Sequence, residues 1–140
     1  MQKMIVVIVL AIAAFALLSL ASGASYLETM LPGGLPLGNV LSALGLCAIA
    51  GAAFLISARR TALGVVSVTS LIAAVTWLPV SIVLAGNLQL NFSGWRGSAW
   101  LAYTSVVAVV ALCSLIWALV ILLFAMCRRA GCGLANKDRS

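Results

Sequence analysis

Four long apolar stretches, separated by three short polar connections, dominate the pattern of this chain. The stretches cover roughly residues 4–22, 37–58, 62–86 and 98–127. Each reaches the length of about 20 mostly apolar residues that a helix needs to cross a bilayer. The apolar residues are continuous rather than alternating, which favours helices over the strands of a membrane barrel. The pattern therefore predicts an all-α integral membrane protein with four transmembrane helices in an antiparallel bundle.

The charged residues lie only outside these stretches, and their distribution predicts an orientation. Seven of the eight Lys and Arg residues belong to the termini or to the connection between the second and third stretches: Lys3, Arg59, Arg60, Arg128, Arg129, Lys137 and Arg139. Because connections rich in Lys and Arg stay in the cytoplasm, we expect both termini there. Glu28 and Arg96 then lie on the outer side. We expect the membrane to be a bacterial inner (plasma) membrane.

The chain length allows one membrane domain, which we place at residues 1–127, followed by a basic cytoplasmic tail at residues 128–140. One alternative concerns the first stretch. Lys3, an apolar segment and then Ala21, Ser22 and Gly23 resemble a cleaved signal peptide. The apolar segment is longer than the 7–15 residues usual for a signal core. We therefore interpret it as a spanning helix, and cleavage within residues 1–24 stays open.

Composition supports lipid as the solvent of this fold. The chain is 65% hydrophobic and 7% charged, whereas soluble domains contain roughly 45–50% apolar and about 25% charged residues. The formal net charge of +6 does not indicate nucleic-acid binding, since the positive residues form no basic face or stripe. Basic residues that flank apolar spans instead match the positive-inside rule and contact with anionic headgroups.

The residue types that normally carry chemistry are scarce. The chain contains no histidine, and its two carboxylates, Glu28 and Asp138, are predicted on opposite sides of the membrane. A Ser–His–Asp triad, a histidine metal site and a paired-carboxylate site are therefore excluded within one chain. We expect no enzymatic activity, no cofactor and no bound metal. Cys127 and Cys132 flank a basic pair beside the membrane, and whether they are modified stays open.

Small and hydroxylated residues form a face on each of the two central stretches. In lipid, helices associate through such residues because they allow close backbone approach. On the second stretch the face consists of Gly38, Ser42, Gly45, Ala48 and Ala52. On the third it consists of Ser67, Ser70, Ala74, Trp77 and Ser81. We expect the two faces to meet as a helix-packing surface; the alternative is that the serines line a solute path.

The second outer connection alternates polar and apolar residues over Asn87–Phe92. Alternation with period two predicts a short extended strand, and a lone strand needs a partner. We therefore predict an outer surface for a partner protein, comprising Glu28, Leu88, Leu90, Phe92, Trp95 and Arg96. A pairing of Glu28 with Arg96 is one way to join the two outer connections. The alternative is a simple linker whose leucines rest on the membrane.

These patterns favour a small non-catalytic membrane protein, an accessory or assembly subunit of a larger membrane complex. Its expected partners are the lipid bilayer and either another membrane protein or further copies of itself. The first alternative is an oligomeric channel or uncoupled transporter for a neutral or lipid-like solute. A holin-like or toxin-immunity membrane protein is a weaker alternative, compatible with the size of the chain.

Overall fold

A computed structural model describes residues 2–57 and 61–137, with the side chains of Lys3 and of residues 129–137 outside that description. It contains four α-helices: α1 Gln2–Ser22, α2 Leu37–Ile56, α3 Ala62–Ala85 and α4 Trp95–Lys137. Each is long and apolar enough to cross a membrane, which indicates a membrane protein and confirms the four predicted spans. The charged residues Arg59, Arg60, Asp138 and Arg139 lie outside the described residues; part of the predicted orientation rests on the three arginines.

The first three helices follow the predicted bounds closely, whereas α4 is much longer than predicted. It is 43 residues long, from Trp95 to Lys137, and it reaches about 65 Å at 1.5 Å per residue. The predicted fourth stretch covered residues 98–127 only. The helix continues past Arg128, so residues 128–137 of the predicted tail are helical. Charged residues set a membrane boundary but do not end a helix, since Arg and Lys are good helix formers.

Local sequence explains where α2 and α3 begin and end. Thr61 caps the start of α3, where its hydroxyl oxygen accepts a hydrogen bond from the Gly64 backbone N–H at 3.1 Å. Gly86 ends α3 in the left-handed conformation, with φ of 72°, which glycine adopts without a Cβ clash. Pro36 directly precedes α2; it has no backbone N–H to leave unsatisfied at a helix start.

The helix α2 is the centre of the bundle, because it packs against α1, α3 and α4. The buried core joins residues of all four helices: Ala13, Ala48, Ile49, Ala50, Ala74 and Ala111. The largest completely buried side chains among the described residues are serines: Ser67, Ser70, Ser81 and Ser114. Small buried side chains allow close contact between helix backbones, as expected where lipid surrounds the bundle.

The connection between α1 and α2 folds over the start of α2. A short 3-10 helix at Ser25–Glu28 is followed by a tight turn in which Met30 and Pro36 form an isolated β-bridge. The turn contains Gly33 and Gly34, both with positive φ. The backbone N–H of Leu37 donates to Thr29 O at 3.0 Å, which ties the end of this connection to its beginning.

The predicted extended strand at Asn87–Phe92 is wrong. This connection forms a turn, and no strand is present in residues 2–57 and 61–137. The Asn87 side chain closes the turn, since its Nδ2 donates to Asn91 O at 2.9 Å and its Oδ1 accepts from Asn91 N at 3.0 Å. Leu90 has a φ of 58°, which interrupts an extended backbone. The asparagine amide thus supplies the hydrogen bonds that a partner strand would offer.

Candidate functional site

The predicted stripe on α3 is buried along its whole length. Ser67, Ser70, Ala74, Trp77 and Ser81 face other helices. Two of them bond directly to α4, because Trp77 Nε1 donates to Thr104 Oγ1 and Ser81 Oγ accepts from Trp100 Nε1, both at 3.0 Å. The stripe therefore holds α3 against α4 by hydrogen bonds as well as by close packing.

Sequence reasoning did not identify Thr104 and Trp100 as partners of this stripe. In the sequence, Thr104 is one hydroxylated residue in a stretch rich in valine and leucine, and Trp100 lies near a span boundary, where aromatic residues are common. In the structure Trp100 also stacks on Phe92, with ring centroids 4.7 Å apart and an interplanar angle of 26°. Its ring lies 6.4 Å from that of Trp77. An indole facing a hydroxyl on the next helix is the signal that would have revealed both pairs.

The small-residue face of α2 has different neighbours from those expected. A Cβ built on Gly45 would lie 3.2 Å from Ala16 Cβ of α1. A Cβ built on Gly38 would lie 3.2 Å from Leu27 O in the first connection. The expectation that this edge meets the α3 stripe is therefore wrong for the two glycines. Since α2 is surrounded by three helices, a small residue on it can face any of them.

The other members of the small-residue face of α2 differ in how deeply they are buried in the bundle. Ala48 and Ala52 are buried. Ser42 is half-buried, and its hydroxyl donates to Gly38 O of its own helix at 2.8 Å. Hydroxyl groups on membrane helices commonly satisfy themselves in this way. Ser57 does the same with Ala53 O at 2.6 Å and also meets Ser67 Oγ at 3.1 Å.

Two buried polar atoms lack a hydrogen-bond partner within the described part of the chain, namely Asn39 Nδ2 and Ser70 Oγ. Ser70 is the second residue of the α3 stripe. Asn39 is in the first turn of α2, and its backbone N–H donates to Pro36 O at 3.1 Å. Buried polar groups are normally paired, so each of these atoms needs an explanation.

A cleft of about 260 Å³ lies beside Asn39, and we call it the loop-end cleft. It is lined by parts of all four helices: Leu17, Leu20, Asn39, Ser42, Gly45, Leu46, Ile49, Trp77, Trp100 and Thr104. Half of these residues belong to α2. The walls are mostly apolar, and the polar groups are an amide, two hydroxyls and two indoles. The cleft is therefore suited to a mainly apolar ligand with one hydrogen-bonding group.

The opposite end of the bundle, which we call the turn end, is formed by Gln2, Leu55, Ser57 and Thr61. Gln2 Nε2 donates to Leu55 O at 2.9 Å, which brings the start of α1 to the end of α2. Residues of α4 lie beside this end, since a cleft there is lined by Ile56, Ser57, Thr61, Ala62, Leu63, Trp117, Ala118 and Ile121. Ile121 of α4 therefore lies at the level of the turn end.

Beyond the turn end, α4 carries six further apolar residues before Arg128. This α4 extension, residues 122–127, spans about 9 Å. Leu123, Phe124 and Met126 are exposed by 60%, 67% and 59%. A surface depression at this point is lined, among the described residues, by α4 side chains alone: Ile121, Phe124, Ala125 and Arg128. Among the described residues, no side chain of α1, α2 or α3 lines this depression.

The residues of the predicted outer partner surface differ in their exposure. Trp95 is 74% exposed, and Glu28 and Arg96 are exposed as well. Phe92 instead turns inward and stacks on Trp100. Leu88 is exposed and Leu90 half-buried. In the described portion of the structure, no ion pair joins Glu28 and Arg96, so the suggested pairing of the two outer connections is not seen.

The described cysteines Cys47, Cys113 and Cys127 are free thiols; the Cys132 side chain lies outside the description. In the region that the structure covers, no three Cys, Asp or Glu side chains are grouped so as to hold a metal ion.

Three features of the described structure have functional potential: the α3 stripe, the loop-end cleft and the α4 extension. Comparison with protein-family models, curated proteins and solved structures finds no match to this chain.

Proposed function

We propose that this protein is a non-catalytic accessory or assembly subunit that joins a larger membrane complex through the α4 extension. In this proposal the four helices form an antiparallel bundle with both termini in the cytoplasm. The contacts of Trp77 with Thr104 and of Ser81 with Trp100 support opposite directions for α3 and α4. The excess of Lys and Arg in one set of connections supports the orientation.

The observation that carries the proposal is the mismatch between α4 and its neighbours. The 20 residues of α2 cover about 30 Å, the thickness of a typical hydrocarbon core. The bundle thus has the thickness of a bilayer between its loop connections and the turn end. The α4 extension begins at the turn end, which is the cytoplasmic boundary of the hydrocarbon core in this proposal. Its apolar side chains therefore reach into the headgroup layer.

An apolar helix segment in the headgroup layer is stabilised when a partner covers it. Removing one large apolar side chain from water contributes about 1.5–3 kcal/mol, and the extension exposes Leu123, Phe124 and Met126 together. A helix that is apolar on all sides is typical of a protein core or of a membrane span, and in this proposal the extension lies beyond the span. The partner that fits is therefore an apolar helix of another membrane protein lying along α4 at the cytoplasmic surface.

Site-specific photo-crosslinking in native membranes tests this proposal. A photoreactive residue at Phe124 should give one discrete protein adduct, while the same residue at Val83, which is 79% exposed on α3, should give lipid adducts only. Phe124→Ser should abolish the adduct of a probe at Leu123, without lowering the stability of the isolated chain. Lipid adducts alone at Phe124 would contradict the proposal, and an adduct of twice the chain mass would identify a second copy as the partner.

A channel or uncoupled transporter for a neutral solute is the second candidate, favoured by the Ser70 hydroxyl. This group lies between helices, and no hydrogen-bond partner for it is found within the described part of the protein. A passing solute would supply that partner. Ser70→Ala keeps the packing volume and removes the hydroxyl, so it should lower flux into liposomes if the stripe is the path. Flux equal to that of the unmodified protein would remove the stripe from consideration.

A further inference from the structure

We propose that the loop-end cleft binds one acyl chain of a glycerolipid, with an ester carbonyl of the lipid accepting a hydrogen bond from the Asn39 side-chain amide. This site is separate from the α4 extension and does not depend on the partner proposed there. It assigns a hydrogen-bond acceptor to the buried Asn39 Nδ2 atom, which has none among the described residues.

The first argument is the chemistry of Asn39. Its Nδ2 atom is buried and lacks an acceptor among the residues of the described structure, while its side chain lines the cleft. A buried donor without an acceptor is unfavourable, so an acceptor is expected to pair with it when the cleft is occupied. The terminal amide torsion of asparagine is soft, so a modest rotation turns the N–H group into the cleft. The matching ligand group is a neutral acceptor oxygen.

The second argument is depth. Asn39 is the third residue of α2, whose first residue is Leu37. The first turn of a spanning helix lies near the boundary between headgroups and hydrocarbon, which is where the ester groups of a glycerolipid lie. From Asn39 the cleft continues along Leu46 to Ile49, about 15 Å further along the helix. A polar group at the top and an apolar channel below it match an ester followed by its acyl chain.

The third argument is shape and access. The cleft is walled on one side by Leu17 and Leu20 of α1 and on the other by Trp100 and Thr104 of α4. The first helix packs on α2, and α4 packs on α2 and α3, so the cleft opens toward lipid between α1 and α4. Its volume of about 260 Å³ is below the range of about 300–1,000 Å³ that encloses whole ligands. The upper part of one acyl chain, with the headgroup and the chain end left outside, fits these dimensions.

The lining also predicts which parts of a lipid do not affect its binding. The ten lining residues include no charged side chain, so the phosphate and the headgroup contribute little to recognition. We therefore expect lipids with different headgroups to bind alike, and lipids with different linkages to bind differently. An ether-linked lipid has the same shape but lacks the carbonyl oxygen, so it isolates the contact with Asn39.

The test measures lipid binding to the full-length protein in mild detergent by native mass spectrometry. The probes are an ester-linked phosphatidylglycerol and its ether-linked counterpart, with ester-linked phosphatidylcholine as the headgroup control. We expect the ether lipid to bind about three- to tenfold more weakly than the ester lipid, as expected for one neutral hydrogen bond. The two ester lipids should agree within about twofold. Equal binding of ester and ether lipids would overturn the proposal.

Two variants and one optical measurement locate the site. Asn39→Leu keeps the branched shape and the number of heavy atoms but removes the amide, and should remove the preference for the ester. Ser22→Ala is the control outside the cleft, since the Ser22 hydroxyl bonds to Ser19 O at 2.7 Å and Ser22 does not line the cleft; it should keep that preference. In a Trp95→Phe/Trp117→Phe background, the remaining indoles Trp77 and Trp100 both line the cleft. Lipids brominated on the upper acyl chain should quench this fluorescence less after Asn39→Leu. Quenching that is unchanged by Asn39→Leu would contradict lipid occupancy of the cleft.

Discussion

Trp77 Nε1 on α3 donates a hydrogen bond to Thr104 Oγ1 on α4 across 3.0 Å. About one turn away the roles are exchanged, because Trp100 Nε1 on α4 donates to Ser81 Oγ on α3, also at 3.0 Å. Each helix thus supplies one indole donor and one hydroxyl acceptor. In hydrocarbon an indole N–H without an acceptor is unfavourable, so this reciprocal pair sets both the register and the separation of α3 and α4.

Replacing Thr104 by valine should destabilise the bundle. The change keeps the shape of the side chain but removes the acceptor for the Trp77 indole, which is only 3% exposed. Hydrogen bonds between membrane helices contribute about 0.6 kcal/mol on average and up to about 1.7. We therefore expect Thr104→Val to lower the free energy of unfolding by about 0.5–1.5 kcal/mol, measured by denaturant titration in mixed micelles.

The matched control for this change is Thr76→Val on α3. Thr76 is exposed, and its hydroxyl donates to Ile72 O of the same helix at 2.9 Å. Its replacement should change stability by less than about 0.5 kcal/mol. If both valine variants lose the same stability, the cross-helix bond contributes nothing beyond the loss of a hydroxyl.

The parts of the fold that follow from the sequence are those fixed by the bilayer itself. The number of spans depends on stretch length and apolarity, so four helices were predictable. Burial of the serine stripe, including Ser67 and Ser81, was predictable because small residues are the contact residues of membrane helices. The neighbour of each face was not, since Gly45 fits against either adjacent helix and only the three-dimensional arrangement places it against Ala16.

Two further features of the fold could not be read from local pattern. The α4 helix continues past Arg128 because charge marks where a helix leaves hydrocarbon, while backbone hydrogen bonding continues in either solvent. The alternation at Asn87–Phe92 is only six residues long, too short to separate a strand from a turn closed by the Asn87 amide. The loop-end cleft combines residues of four helices, so it required their relative positions.

Gly45 of α2 lies directly against Ala16 of α1. A Cβ there would lie 3.2 Å from Ala16 Cβ, so a larger side chain must push α1 outward. We expect Gly45→Leu to lower the free energy of unfolding by about 1–3 kcal/mol through overpacking. It should also increase amide hydrogen exchange in α1. Gly51→Leu is the control, since a Cβ at Gly51 meets no described atom within 4 Å. Equal losses for both variants would contradict a specific α1–α2 contact.

Leu90 holds a left-handed backbone conformation, with φ of 58°, that is unfavourable for a branched side chain by about 1–2 kcal/mol. Asparagine tolerates this conformation better, so Leu90→Asn should stabilise the connection between α3 and α4. We expect a gain of about 0.5–1 kcal/mol, seen as a higher thermal midpoint in detergent. Leu88→Asn in the same turn is the comparison, because Leu88 has no positive φ. A gain from Leu88→Asn equal to that from Leu90→Asn would point to lower loop hydrophobicity rather than relieved strain.

The proposed orientation predicts opposite labelling of the two ends of α4. In a background without the four native cysteines, single cysteines are introduced by Ser93→Cys, just before α4, and by Ser140→Cys at the end of the chain. Because seven of the eight Lys and Arg residues are assigned to the cytoplasmic side, a membrane-impermeant maleimide should label position 93 on intact cells. It should label position 140 only after permeabilisation. Labelling in denaturant provides the total for each site. The reverse pattern would place the α4 extension outside the cell and exclude a cytoplasmic partner, while equal labelling from one side would mean that α4 does not cross the membrane.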